Sequence, residues 1–177
     1  MLSTPRSSTV FRALWVVLLF AGSVRVVYWL VYARTMPFLT HPLADAGIYE
    51  GWATAIAQGD VWSRAAGVFY RAPLYPYFLA AIHVGFGETM PWAGLLQSAL
   101  GIVLLWMVSR LAWRIAGPRA AIASAALLAL YGPLVAFESK RLPTTLGLVL
   151  HVASLVLLCR LAERPSVRRA VWAGLAL

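Results

Sequence analysis

The chain has 177 residues, 62% of them hydrophobic and only 12% charged, and its mean hydropathy is +0.78. So little polar surface excludes a soluble domain of this length and identifies an integral membrane protein. The net charge of +9 would suggest nucleic acid in a soluble protein. Here the basic residues flank apolar runs, as cytoplasmic loops do, and no RNA-binding motif or solvated basic domain is present, so no nucleic-acid partner is expected. The single Cys159 lies in an apolar run, which rules out an intramolecular disulfide and a thiolate metal cluster.

After a polar, basic start (Ser3, Arg6, Ser7, Ser8, Arg12), an apolar run over about 10–33 is long enough to cross a hydrocarbon core of ~30 Å. It is too long for a signal-peptide core and no small-residue cleavage site precedes the polar turn, so an uncleaved first span is expected. Tyr28, Trp29 and Tyr32 suit an interfacial belt at its far end. Arg25 then sits about one turn inside the membrane edge; the expected reading is snorkelling to the outer interface, with a role in a cavity as the alternative.

Residues 35–90 form a long loop, expected on the outer side. Within it, Asp45 is placed to cap a helix over about 46–58, closed by Gly59, with Ile48, Trp52 and Ile56 on one face. That helix is amphipathic and too short to span, as is an apolar helix over about 73–86, so both are expected at the membrane surface. Further spans are expected over about 91–114, 119–137 and 143–162, with a tight turn at Gly117-Pro118 and a polar joint at Glu138-Ser-Lys-Arg-Leu-Pro143. A fifth apolar run starts over 167–177, and the seven residues from Val171 to Leu177 are too few to span. The fold class is therefore an all-α, polytopic membrane helix bundle with a long first outer loop carrying juxtamembrane helices.

With the N-terminus on the cytoplasmic side, nine basic residues (Arg6, Arg12, Arg110, Arg114, Arg119, Arg160, Arg164, Arg168, Arg169) fall inside and five (Arg34, Arg64, Arg71, Lys140, Arg141) outside. This asymmetry favours that orientation, in a cell inner (plasma) membrane. Five of the six acids, Asp45, Glu50, Asp60, Glu88 and Glu138, then lie outside, so carboxylate chemistry is expected on the outer face.

Two polar groups meet there. One is Asp45 with Tyr49 one turn on, preceded by His41 and followed by Glu50; the other is Glu138 with Lys140 and Arg141. A carboxylate at an interface suits a general base, and a Lys-Arg pair suits a phosphate leaving group. Arg71, beside Tyr70, is a third phosphate or headgroup candidate. Each residue also has a plain structural reading: Asp45 as a helix cap, Glu138 as a solvated loop acid, Lys140 and Arg141 as interfacial anchors, His83 and His151 as packed or hydrogen-bonded between helices. No histidine has metal-ligand spacing with another, and no metal site is assigned. No P-loop or Rossmann glycine pattern occurs, so no nucleotide site is expected.

Together, Asp45-Ala-Gly-Ile-Tyr49, Arg71-Ala-Pro-Leu-Tyr75-Pro76, the Gly117-Pro118 turn and Tyr131-Gly-Pro-Leu-Val-Ala-Phe-Glu138 followed by Leu142-Pro143 resemble the N-terminal part of the GT-C glycosyltransferases. The branch it resembles is the protein mannosyltransferase and aminoarabinose transferase type, often called glycosyltransferase family 39. The resemblance covers roughly residues 10–177. It implies inverting transfer of a sugar from a polyprenyl-phosphate donor to an acceptor on the outer face. It further implies Asp45 as the catalytic carboxylate, Glu138 as a second acid of the site, and Tyr49, Arg71, Lys140 and Arg141 as substrate-binding residues. Whether a divalent cation takes part stays open. Members of that family have many more spans and a distal region completing the donor pocket, so the resemblance implies an N-terminal piece that is inactive alone. A small-solute transporter subunit using Arg25, His151 and Glu138, and a non-catalytic membrane scaffold, are the alternatives.

Overall fold

The computed structural model describes residues 7–36, 44–62, 64, 69–87, 90–163 and 165–175. These residues hold helices and no strand: α1 Ser7–Thr35, α2 Asp45–Ala57, α3 Leu74–Phe86, α4 Met90–Ala129, α5 Gly132–Glu138, α6 Thr144–Glu163 and α7 Val167–Leu175. Among them α1, α4 and α6 are long and apolar enough to cross a membrane, which fits a multi-pass membrane protein.

α1 buries one stripe, Val10, Leu14, Ala21 and Arg25, at helical spacing, and leaves Trp15, Val16, Leu19, Phe20 and Val27 exposed. That is the pattern of a helix with one protein-facing and one lipid-facing side. Its partner is α4. Near its start Val10 and Leu14 meet Ala121 and Ala125, and Phe11 packs on Trp113 with ring centroids 5.6 Å apart. Further along, Ala21 joins Leu104, Leu105, Ala129 and Leu134. Lipid offers no hydrophobic drive for association, so close approach of small residues carries the contact. Trp29 lies so near Gly94 that a β-carbon there would overlap its indole.

α4 is two arms joined at Gly117, whose φ of 84° only glycine adopts without strain. Pro118 opens the second arm, which is why Gly-Pro makes a turn rather than a continuous helix. The expected span over 119–137 is in fact two pieces, since the second arm stops at Ala129 and α5 starts at Gly132. Pro133 sits in the first turn of α5, and Tyr131 before it is extended (φ −73°, ψ 92°), so the Gly132-Pro133 pair restarts the helix. The spans expected over 10–33 and 143–162 coincide closely with α1 and α6, and the run from 167 begins α7, which packs on α6.

α2 and α3 pack on each other and cap one end of the bundle. Tyr49, Trp52 and Ala53 of α2 bury against Tyr75, Leu79, Ala80 and Ile82 of α3, with Ala93 of α4 below and Leu142 and Leu146 alongside. Each large apolar side chain buried here contributes about 1.5–3 kcal/mol where water is the alternative. The Tyr77 hydroxyl donates to the Val61 carbonyl at 2.6 Å, tying the segment after α2 back onto α3.

Candidate functional site

The site is built from the start of α2. Asp45 is the first helical residue; the cap position belongs to Ala44, which has φ 52° and donates no side-chain cap. The capping role expected for Asp45 is therefore absent, because the helix already includes Asp45 and the cap position falls on Ala44, at positive φ. Freed from the backbone, the Asp45 carboxylate still sits favourably at the positive end of the helix dipole. Its Oδ2 accepts from Arg71 Nη1 at 2.7 Å, with Asp45 53% and Arg71 31% exposed. The Arg71 hydrogen bond holds the Asp45 carboxyl below its ordinary range, and Asp45 and Tyr49 in turn raise Arg71 further.

Two rings frame the guanidinium: Tyr70 at 5.4 Å and Tyr49 at 5.8 Å from the centroids. Tyr49 is itself buried, edge-on to Trp52 and to Tyr75. Trp52 packs edge-on against Phe69 and Tyr70 at 5.1 and 5.2 Å. Arg71 is thus positioned by an aromatic floor belonging to the α2–α3 core, and Asp45 is the acid that lies at its edge.

One turn along α2, Glu50 makes a second junction. Its Oε2 is 2.6 Å from Arg141 Nη1 and its Oε1 is 3.1 Å from His83 Nε2. Helix α2, helix α3 and the segment after α5 meet at this carboxylate. Arg141 is 8% exposed, so its charge is compensated by Glu50 and not simply anchored at an interface as expected.

Behind that lies a wholly buried group. Glu138 is 0% and Arg25 1% exposed; Arg25 Nη2 donates to Glu138 Oε1 at 3.0 Å, and Arg25 Nε faces Oε2 at 2.8 Å as a charge contact without hydrogen-bond alignment. Arg25 Nη1 also donates to the Ala21 carbonyl at 3.3 Å. Gln97 of α4 donates from Nε2 to the carbonyls of Glu138 (3.0 Å) and Lys140 (2.6 Å), and its Oε1 accepts from the Tyr75 hydroxyl at 3.0 Å. Burial raises the Tyr75 phenol well above its ordinary value, so it stays a donor.

The sequence candidates therefore separate into four positions. Asp45, Tyr49 and Arg71 are in contact; Arg141 reaches the same helix through Glu50; Glu138 is sealed against Arg25, not solvated in a loop. Lys140 is exposed, its ammonium 5.0 Å from the Phe137 ring. Arg25 does not snorkel, because Glu138 supplies a buried partner. His41 and Glu88 lie outside the described residues. His83 meets Glu50, while His151 Nδ1 lies 2.6 Å from the Gly147 carbonyl of its own helix. Gln97 was not among the sequence candidates; a lone amide inside an apolar run was the signal for it. Among the described residues no group of three or more His, Cys, Asp or Glu side chains is arranged to hold a metal ion.

In chemical terms the exposed part offers a carboxylate that is ionised at neutral pH, a guanidinium against it and an aromatic floor. The buried part offers a rigid support. No known family, curated protein or solved structure matches this chain.

Proposed function

We propose that this chain is the N-terminal part of a membrane glycosyltransferase of GT-C type, which moves a sugar from a polyprenyl-phosphate donor to an acceptor on the outer face of a cell membrane, its N-terminus cytoplasmic. The observation that carries the reading is the exposed Asp45–Arg71 pair at 2.7 Å, framed by Tyr49 and Tyr70. A base and a phosphate-binding cation are the two groups such a transfer needs side by side.

In this reading Arg71 leaves Asp45 for the donor phosphate, with Lys140 as a second, exposed cation. Asp45 then takes the proton from the acceptor hydroxyl as its oxygen bonds the anomeric carbon and the bond to the phosphate breaks with inversion. The phosphate departs with the electron pair, its charge met by the cations. Glu138, which has no exposed atom, acts as a positioning residue: with Gln97 it fixes the segment carrying Lys140 and Arg141. The nine-to-five distribution of basic residues supports the orientation.

The test is transfer from a panel of polyprenyl-phosphate sugars by membranes expressing the full reading frame that contains this chain, wild type beside Asp45→Asn. Transfer by the wild type alone, with both proteins folded, supports the reading; equal transfer by both removes Asp45 from the chemistry.

A second reading, a small-solute transport subunit, draws on the buried Arg25–Glu138 pair, since ionisable groups within a bundle often mark transport paths. It requires solute uptake that fails in Arg25→Met or Glu138→Gln yet survives in Asp45→Asn.

A further inference from the structure

At the end of the bundle away from the Asp45–Arg71 pair, α4 and α6 enclose a groove of about 400 Å³, with Trp106, Met107, Val156 and Leu157 along its length and Arg110 and Arg160 in its wall. Lining residues advance together along both helices, and beyond them Arg114 pairs with Glu163, so here the two helices run in the same direction. The apolar residues therefore lie deeper, and the arginines lie one turn nearer the face where α1 begins. The cavity is amphipathic along its axis, as a lipid is.

We propose that this groove binds an anionic phospholipid, with the phosphate between Arg110 and Arg160 and an acyl chain along the apolar floor. The charge pattern argues for an anion. Arg114, one turn beyond Arg110, is neutralised by Glu163, whereas among the described residues no carboxylate lies within ion-pair distance of Arg110 or Arg160. The Arg110 guanidinium lies 5.9 Å from the Trp106 ring centroid, which holds the plane while leaving its N–H donors open. Two such cations beside hydrocarbon call for a phosphate oxygen, and the forked donors match one. A zwitterionic headgroup brings its own cation to the same place and satisfies them less well. The inference is independent of the proposed sugar transfer, since it uses neither its residues nor its face.

The test is native mass spectrometry of the purified full chain, equilibrated in detergent with phosphatidylglycerol or phosphatidylcholine. Phosphatidylglycerol is expected to be retained about tenfold more strongly, as two basic side chains near an anionic headgroup warrant. The Arg110→Gln/Arg160→Gln variant loses that preference. Ala153→Trp, which keeps both charges but fills the floor, loses the bound lipid altogether, and Arg119→Gln, a basic residue at the same end outside the groove, behaves as wild type. Equal retention of the two lipids, an unchanged preference in the double variant, or an equal loss in Arg119→Gln would each overturn the proposal. So would displacement of the lipid by soluble glycerol phosphate, which would make this a free-phosphate site.

Discussion

Gly101 of α4 lies directly against the Glu138 carboxylate, so that a β-carbon on Gly101 would overlap it. The glycine is what lets a charged side chain from α5 sit flush on the α4 backbone and meet Arg25 from across α1. Gly101→Ala is expected to push the carboxylate away from Arg25 and destabilise the protein by roughly 3 kcal/mol, the scale of a broken buried ion pair. Thermal unfolding in detergent checks this; a melting temperature equal to wild type would mean the carboxylate moves aside freely.

The pair itself is expected to behave non-additively. Arg25→Met and Glu138→Leu each leave one buried charge uncompensated, at a cost of about 3–5 kcal/mol, whereas the double substitution costs less than either. A double-mutant cycle of unfolding midpoints measures this. A double variant as unstable as the sum of the singles would show that the two charges do not communicate.

Asp45→Asn is expected to leave the melting temperature unchanged, since the Asp45–Arg71 contact is exposed and screened. The same substitution is expected to abolish sugar transfer. Because Arg71 holds the Asp45 carboxyl below its ordinary 3.8 before donor binds, the base of the free protein stays ionised through the weakly acidic range, and the acidic limb of the kcat/KM profile should fall below that value. Arg71→Ala is expected to move the limb upward.

Gln97→Leu removes three hydrogen bonds at once and strands the Glu138 carbonyl and the Tyr75 hydroxyl, while the Lys140 carbonyl keeps its bond from the Leu142 N–H. A loss of about 2–4 kcal/mol is expected. Hydrogen exchange should quicken in α3 and in residues 139–143, and protection equal to wild type there would separate Gln97 from the support of the site.

Local signals made much of the bundle legible in advance. Apolar length marked α1 and α6, Gly117-Pro118 marked the reversal inside α4, and turn residues bounded the two short helices. The Gly132-Pro133 restart was hidden inside an apolar run, where hydropathy stays high while the backbone changes direction. Arg71 and Asp45 were both visible as candidates, but their contact was not, because a 26-residue separation carries no periodicity. The same holds more strongly for Arg25 and Glu138, whose acid sits in a different helix entirely. What pairs with a charge inside a membrane is decided by tertiary packing, and single-chain patterns are blind to it.

The distance between those two residues along the chain also bears on biogenesis. Glu138 follows Arg25 by 113 residues, roughly ten seconds of synthesis. During that interval α1 enters the bilayer with an unmatched guanidinium, whose long side chain must reach for the headgroups or a water defect. Only when α5 arrives does the cation acquire its acid, and the helix can then settle to its final depth. The first span is therefore completed only after both arms of α4 have been made.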